Sequence, residues 1–205
     1  MKLSVCLIVK NEEEVIERCL KCVSKFADEI VVVDTGSTDK TKEIVKKYTH
    51  NIFDFVWCDD FSKARNYCFS LAKYDYIMWI DADDIIDDEN ISKIIKLKEN
   101  LNADTYMLKY QTAFDKSNKP TFEFYRERIV KNNNKALWHG FIHEAITPFG
   151  KIEYLDIAIQ HRKKEKTDPK RNLKIYNKHL KTGIKLLPRE QYYYSKELYY
   201  NHYYK

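Results

Sequence analysis

The stretch Ile77-Met78-Trp79-Ile80-Asp81-Ala82-Asp83-Asp84 runs four apolar side chains straight into three carboxylates. The apolar part reads as a buried strand, and the two-residue strand period places Asp81 and Asp83 on one face at its end. Two anions held side by side are unfavourable unless a cation shares the site. A cation is therefore expected there, and the neighbouring segments are read for the partners it needs.

Working outward, the same pattern recurs. Leu3 to Val9 is a short apolar run ending in Lys10-Asn11-Glu12-Glu13-Glu14, where Asn11 is expected to cap a helix and Glu14 to close a capping box. Val15, Ile16, Cys19, Leu20, Val23 and Phe26 then follow at helical spacing. A second apolar run, Ile30 to Val33, stops at Asp34-Thr35-Gly36-Ser37-Thr38-Asp39, and residues 39–48 read as a helix. A short strand is expected over 52–56, a helix capped by Ser62 after it, and a helix from about Asn90 to Leu101. Alternating strands and helices imply a parallel sheet with helices on both faces. Ligands of such sheets bind beyond the carboxyl ends of the strands, where the polar clusters at 10–14, 34–39 and 81–84 converge.

After residue 103 the rhythm changes. Residues 105–113 and 121–130 flank a turn at Asp115 to Pro120, reading as a hairpin, and a further strand is expected over 151–160. From Asp168 the pattern is helical, with Leu173, Ile175, Tyr176 and Leu180 expected to face inward. The tyrosines at 192–194, 199, 200, 203 and 204 read as packing residues of a helical hairpin, and the abrupt end reads as a truncation.

Composition narrows the function. The chain has 205 residues, 44% hydrophobic and 33% charged, enough for one well-buried domain and an appendage. No apolar run reaches the roughly 18 residues of a membrane span, and the first strand is too short for a signal peptide, so a cytoplasmic protein is expected. Five scattered cysteines, Cys6, Cys19, Cys22, Cys58 and Cys68, suit neither a disulfide framework nor a zinc knuckle, and read as structural. A net charge of +5 is mild, with a basic stretch from His161 to Lys166 that reads first as a solvated helix start and otherwise as a contact for an anionic substrate or a membrane surface, and no nucleic-acid-binding motif is present. Only Gly36, Gly140, Gly150 and Gly183 occur, which excludes a P-loop and a dinucleotide fingerprint. A nucleotide diphosphate would have to be met by a metal and basic side chains. The acids offer hard oxygen ligands for Mn²⁺ or Mg²⁺, and Lys63 and Arg65 stand at a helix start suited to phosphate.

Four segments in register carry a resemblance. Ile8-Val9-Lys10-Asn11-Glu12-Glu13, Val33-Asp34-Thr35-Gly36-Ser37-Thr38-Asp39, Asp60-Phe61-Ser62-Lys63-Ala64-Arg65-Asn66 and Ile80-Asp81-Ala82-Asp83-Asp84 together resemble a family 2 glycosyltransferase of the GT-A fold. With Trp138-His139-Gly140-Phe141-Ile142-His143-Glu144 and the later His161, the chain is similar to the branch often followed by tetratricopeptide-like helices. The resemblance implies an α/β fold with a Rossmann-like, mostly parallel central sheet, flanking helices and a C-terminal helical extension. It divides the chain into a transferase domain at 1–165, with a nucleotide-binding half at 1–103 and an acceptor-side half at 104–165, and helices at 166–205.

The resemblance also implies roles. Val9 and Asn11 would line the nucleotide pocket, Asp34 would meet the base or ribose, and Arg65 would approach the diphosphate or sugar. Asp81, with Ala82 beside it, would bind ribose or metal, and Asp83 would be the principal metal ligand in this Asp-x-Asp. Thr35 stands where many relatives carry a second acid. Direct displacement at an anomeric carbon needs a base on the acceptor side, for which Glu144 is the first choice and His143 the second. His161 is expected to complete the metal shell. The function implied is a metal-dependent, inverting transfer from a nucleotide-diphosphate sugar, a UDP-sugar first. The acceptor would be a glycan, a lipid-linked glycan, or a protein or peptide side chain, as in the bacteriocin cysteine S-glycosyltransferases. Two rivals are a sugar-nucleotide nucleotidyltransferase, which would want a glycine-rich first loop, and a non-catalytic carbohydrate-binding scaffold, which would not need the acids.

Overall fold

A computed structural model describes residues 1–162 and 168–203, so Lys163 to Lys166 of the basic stretch and Tyr204 lie outside the described residues. In chain order the elements are β1 (Leu3–Val9), α1 (Ile16–Val23), β2 (Glu29–Asp34), α2 (Thr41–Val45), β3 (Ile52–Asp54), α3 (Phe61–Ser70), β4 (Tyr76–Trp79) and β5 (Asp84–Ile85). There follow α4 (Asp88–Glu99), β6 (Thr105–Phe114), β7 (Pro120–Lys131), β8 (Trp138–His139), β9 (Ala145–Ile146), β10 (Ile152–His161), α5 (Arg171–Lys181) and α6 (Pro188–Tyr200).

One eight-stranded sheet, ordered β3-β2-β1-β4-β7-β6-β10-β5, organises the chain, and β8 and β9 form a small ribbon beside it. Strands β3, β2, β1 and β4 are parallel, as are β6 and β10, while β7 runs antiparallel to β4 and β6. The strand period sorts β1 between two cores. Leu3, Val5, Leu7 and Val9 pack with Ile16, Cys19, Leu20 and Val23 of α1, whereas Cys6 packs with Cys68 and Phe69 of α3 on the other face. All five cysteines are free, and Cys6, Cys19 and Cys68 are buried in these layers.

Several helix starts differ from the sequence expectation for one reason, competition among short polar side chains. Asn11 takes a left-handed φ of 55° and accepts a hydrogen bond from the Thr38 amide, so it ties β1's loop to β2's loop rather than capping α1. Glu12 carbonyl begins that helical turn instead, accepting from the Val15 and Ile16 amides. Asp60, not Ser62, caps α3: its carboxylate accepts from the Lys63 amide at 3.0 Å and from the Ser62 hydroxyl at 2.7 Å. Asp60 has the extended φ and ψ of a cap and directly precedes Phe61, whereas Ser62 is already within the helix. Asp87 similarly caps α4, and α2 and β3 are shorter than expected.

Two features of the second half place the site. Strand β10 pairs regularly with β6 up to Leu155, skips Asp156 and Ile157, and resumes at Ala158 opposite Lys109. Its end then pairs antiparallel with β5, putting His161 opposite Asp84. The C-terminal helices bury Leu173, Ile175 and Tyr176, with Leu180 half-buried, and pack with Phe141, Ile142, Tyr193 and Tyr194. Tyr192, Tyr199 and Tyr200 stay exposed.

Removing the carboxylate that starts α3, in Asp60→Ala, is expected to cost about 1 kcal/mol. Equilibrium urea unfolding measures it, and Ser62→Ala, which leaves that cap in place, should cost less.

Candidate active site

The acid turn is built from the end of β4. Asp84 amide donates to the Asp81 carbonyl at 3.0 Å, and the Asp81 amide donates to the Asp84 carboxylate at 3.1 Å, closing a tight loop. The three acids then diverge in environment. Asp84 is wholly buried and fully engaged, accepting from Arg128 at 3.0 Å and from the Tyr110 hydroxyl at 3.1 Å, with His161 Nδ1 also at 3.1 Å. Asp83 keeps one oxygen 3.3 Å from His161 Nδ1. Asp81 accepts from Arg65 at 2.8 Å.

Arg65 is delivered by the buried face of α3 and is only 8% exposed, so its charge needs partners. Its Nε donates to Glu144 at 2.7 Å while its far nitrogen holds Asp81, joining the acid turn to the loop between β8 and β9. Its guanidinium lies 4.6 Å from the Trp138 ring centre and 5.0 Å from that of Trp79. Asn66, one residue on, grips the backbone of Trp138 on both sides, which fixes that ribbon against α3.

Electrostatics follow this geometry. Burial alone would raise the Asp81 carboxyl, but Arg65 first, then Arg128 and His161, outweigh it and hold it at about 2. Burial would lower the His161 imidazole, but its hydrogen bonds to Asp83 and Asp84 push it up to about 10. A protonated His161 thus shields the two acids. Ligand atoms of Asp83, Asp84 and His161 all lie within 4.8 Å of one another. Asp84 is committed to Arg128 and Tyr110, so Asp83 and His161 are the groups with capacity left. A carboxylate and an imidazole steadied by a second carboxylate suit Mn²⁺ or Mg²⁺.

These groups open onto one cavity of roughly 500 Å³, lined among others by Val9, Lys10, Thr35, Arg65, Asp81, Ala82, Asp83, His143, Glu144 and His161. Val9, Arg65, Asp81, Ala82, Asp83, His143, Glu144 and His161 are therefore brought together as expected. Three other expected residues are not on its wall. Asn11 is spent on the β2 loop, and exposed Lys63 pairs with Asp60 at 3.7 Å. Asp34 accepts from the Gly36 and Ser37 amides through one oxygen, and its other oxygen is buried without a partner among the described residues. Trp57 lines the cavity, whereas Trp138 is buried.

Sequence reading missed Arg128, Tyr110, Arg171 and Asn172. Arg128 had one signal: it stands directly before the buried pair Ile129-Val130, at the point where the register of β7 against β6 shifts. Arg171 and Asn172 of α5 also line the cavity, a placement no local pattern announces.

Residues 4–149 match the family model described as Glycosyl transferase family 2. The chain belongs to glycosyl transferase family 2. Among curated relatives of this family 2 chain, the SPbeta prophage-derived glycosyltransferase SunS of Bacillus subtilis is 32% identical over 151 residues, covering 67% of this chain and 33% of that protein. A TPR repeat-containing protein of Synechococcus elongatus is 41% identical over 83 residues, covering 40% of this chain and 21% of that protein. The chain thus spans a third or less of the length of these two relatives. Among solved structures, S. aureus TarS 1–349 aligns with a TM-score of 0.58 at 17% identity, covering 93% of this chain and 77% of that one. The same TarS fragment has been solved with UDP and with UDP-GlcNAc. Glucosyl-3-phosphoglycerate synthase from Mycobacterium tuberculosis, solved with Mn²⁺, UDP and glucosyl-3-phosphoglycerate, aligns at 0.54 and 15% identity over 80% of this chain and 72% of that one. The family 2 chain shares its fold with these proteins, an α/β GT-A architecture.

Two outcomes test the site as built. Arg128→Met should destabilise the protein by about 3–5 kcal/mol because it strands the buried Asp84, and adding Asp84→Asn should cost less than the single changes summed; denaturant unfolding of the four proteins measures the cycle. For His161, the folded value lies above the ordinary 6.5, so its stabilisation is fully present below pH 6.5 and is lost as pH rises through about 10. The stability gap between wild type and His161→Gln in metal-free buffer should narrow over that window.

Proposed function

We propose that this family 2 chain transfers a sugar from a nucleotide-diphosphate donor, UDP-sugars first, to an acceptor hydroxyl or side chain with inversion. One observation carries the reading: the cavity beyond the parallel strand ends joins the Asp83–His161 pair to the Arg65–Glu144 pair. The reported complexes of the fold's neighbours with UDP and Mn²⁺ make these the first ligands to test.

In this reading Val9 and Thr35, both on the cavity wall, hold the nucleoside, while Asp34 shapes the β2 loop beneath it by accepting from the Gly36 and Ser37 amides. Asp81 is kept ionised by Arg65, so it stays an acceptor for ribose hydroxyls or a metal through its other oxygen. Mn²⁺ or Mg²⁺ held by Asp83 and His161, with Asp81 alongside, would supply positive charge where the leaving diphosphate develops negative charge. Arg65 adds a fixed cation on the same side. The acceptor's nucleophile attacks the anomeric carbon as the bond to the diphosphate breaks, and its proton passes to the acceptor-side base. Glu144 fills that role: Arg65 occupies its Oε1, which orients the group and leaves Oε2 for the acceptor. Residues 1–165 form the transferase domain of this proposal. None of the described helices is long and apolar enough to cross a membrane.

The test is Mn²⁺-dependent turnover of a panel of sugar nucleotides. Asp83→Ala should lower it by at least about 100-fold, and Glu144→Gln should lower kcat by roughly 100- to 10,000-fold while UDP binding persists. A wild-type protein that neither binds UDP nor turns over any donor would remove the transferase reading.

A further inference from the structure

Helix α6 addresses the cavity through a single stripe. Arg189, Tyr193 and Glu197 stand four residues apart on one face, and all three touch His143. The Arg189 guanidinium donates to the His143 carbonyl at 3.3 Å. The Tyr193 ring lies flat on the imidazole, with centres 4.1 Å apart and planes inclined by 14°. Glu197, whose side chain is 12% exposed, has one oxygen 3.2 Å from His143 Nε2, and the same oxygen accepts from Asn172 Nδ2 at 2.9 Å. One carboxylate oxygen thus holds two cavity-lining groups from different elements, His143 of the β8–β9 loop and Asn172 at the start of α5.

His143 needs such holding. Its φ of 52° lies in the left-handed region, a strained conformation for a non-glycine residue that surrounding contacts must hold. The next residue is Glu144, so a drift of His143 would carry the Glu144–Arg65 contact with it. α6 has no fully buried residue, so these polar and stacking contacts are a large part of what seats it.

The chemistry of the contact is directional. An ionised carboxylate only accepts, so Nε2 of His143 must carry the hydrogen and Nδ1 is left as the ring's acceptor. Burial lowers the imidazole's pKa, opposed by Glu197 and more weakly by Glu144, with Lys196 adding to the lowering. Arg189 and Tyr193 are the other groups of α6 against it. The neutral ring is accordingly the form at neutral pH.

We propose that Glu197 is a positioning residue for the transfer reaction, fixing His143 as its Nε2–H tautomer and seating Asn172, so that Nδ1 faces the reaction as a hydrogen-bond acceptor beside Glu144. This rests on the transferase reading for its kinetic part and on the His143–Glu197 geometry alone for its tautomer.

The experiment has two arms on the full chain. Long-range ¹H–¹⁵N spectra of histidine-labelled protein report the His143 tautomer, assigned with His143→Gln. Wild type is expected to show Nε2–H alone, and Glu197→Ala a mixture of the two tautomers in exchange. Glu197→Gln keeps an accepting oxygen, so it should retain the tautomer, while the His143 pKa falls because the negative charge that raised it is gone. In turnover assays, Glu197→Ala should lower kcat at least about tenfold with donor KM within about twofold, and Glu197→Gln should recover most of the loss. If Glu197→Ala does not fold, the Glu197→Gln titration decides alone, and an unmoved His143 pKa overturns the proposal. An Nδ1–H tautomer in wild type, or unchanged tautomer and kcat in Glu197→Ala, also overturns it. Should wild type show no turnover on any donor, the transferase reading fails while the spectra still judge the tautomer.

Discussion

The structure depends on how it keeps buried charges neutralised around Trp79. Asp81, Asp83, Asp84 and Glu144 meet Arg65, Arg128 and His161 within a small region, and Arg128 and Asp84 have no exposure at all. Taking any one of these ions out of water costs several kcal/mol, recovered only with close, well-aligned partners. The aromatic rings supply the rest. The Arg128 guanidinium lies 3.6 Å from the Trp79 ring centre and 4.1 Å from that of Tyr110, which compensates two guanidinium nitrogens without hydrogen-bond partners among the described residues. Arg126 lies 4.9 Å from the same indole, whose Nε1–H is fixed to the Glu127 carbonyl. Trp79 is thus a shared support for three cations, and the acid turn that follows it in the chain takes its shape from them.

This arrangement separates acids that look equivalent on paper. Asp84 is the deepest and serves structure, because Arg128, Tyr110 and the Asp81 amide use its lone pairs. Asp83 faces His161 and the cavity. Asp81 mediates between the acid turn and Arg65, and so links β4 to α3 and, through Glu144, to the β8–β9 ribbon. A protonated His161 in the metal-free protein occupies the electrostatic place of a cation, so a metal would have to displace a proton there.

Much of this was legible in the sequence, for identifiable reasons. Strands β1, β2 and β4 are apolar runs ended by polar clusters, and any parallel packing of them gathers those clusters at one edge. Four motifs in order added the fold, and the cavity brought together Val9, Arg65, Asp81, Asp83, His143, Glu144 and His161. What could not be read is pairing at a distance. Nothing near Asp84 announces Arg128, and nothing near His143 announces Glu197, because β7 and α6 reach them through the sheet order and the fold of the C-terminal helices. Helix caps were misread at Asn11 and Ser62 because two polar groups competed for each role and only the folded loops decide between them.

The interruption in β10 has a consequence for how such a chain varies. The start of that strand is fixed by its pairing with β6 at Thr105, and its end by His161 opposite Asp84, so two unrelated demands set the two ends of one strand. Asp156 and Ile157 absorb the mismatch between them, with Asp156 held outside by Lys109 and Ile157 turned into the core. The spacing between imidazole and acids is therefore independent of the strand's length. A change in length at that point would fall on the unpaired residues and leave the pair at the strand's end in place.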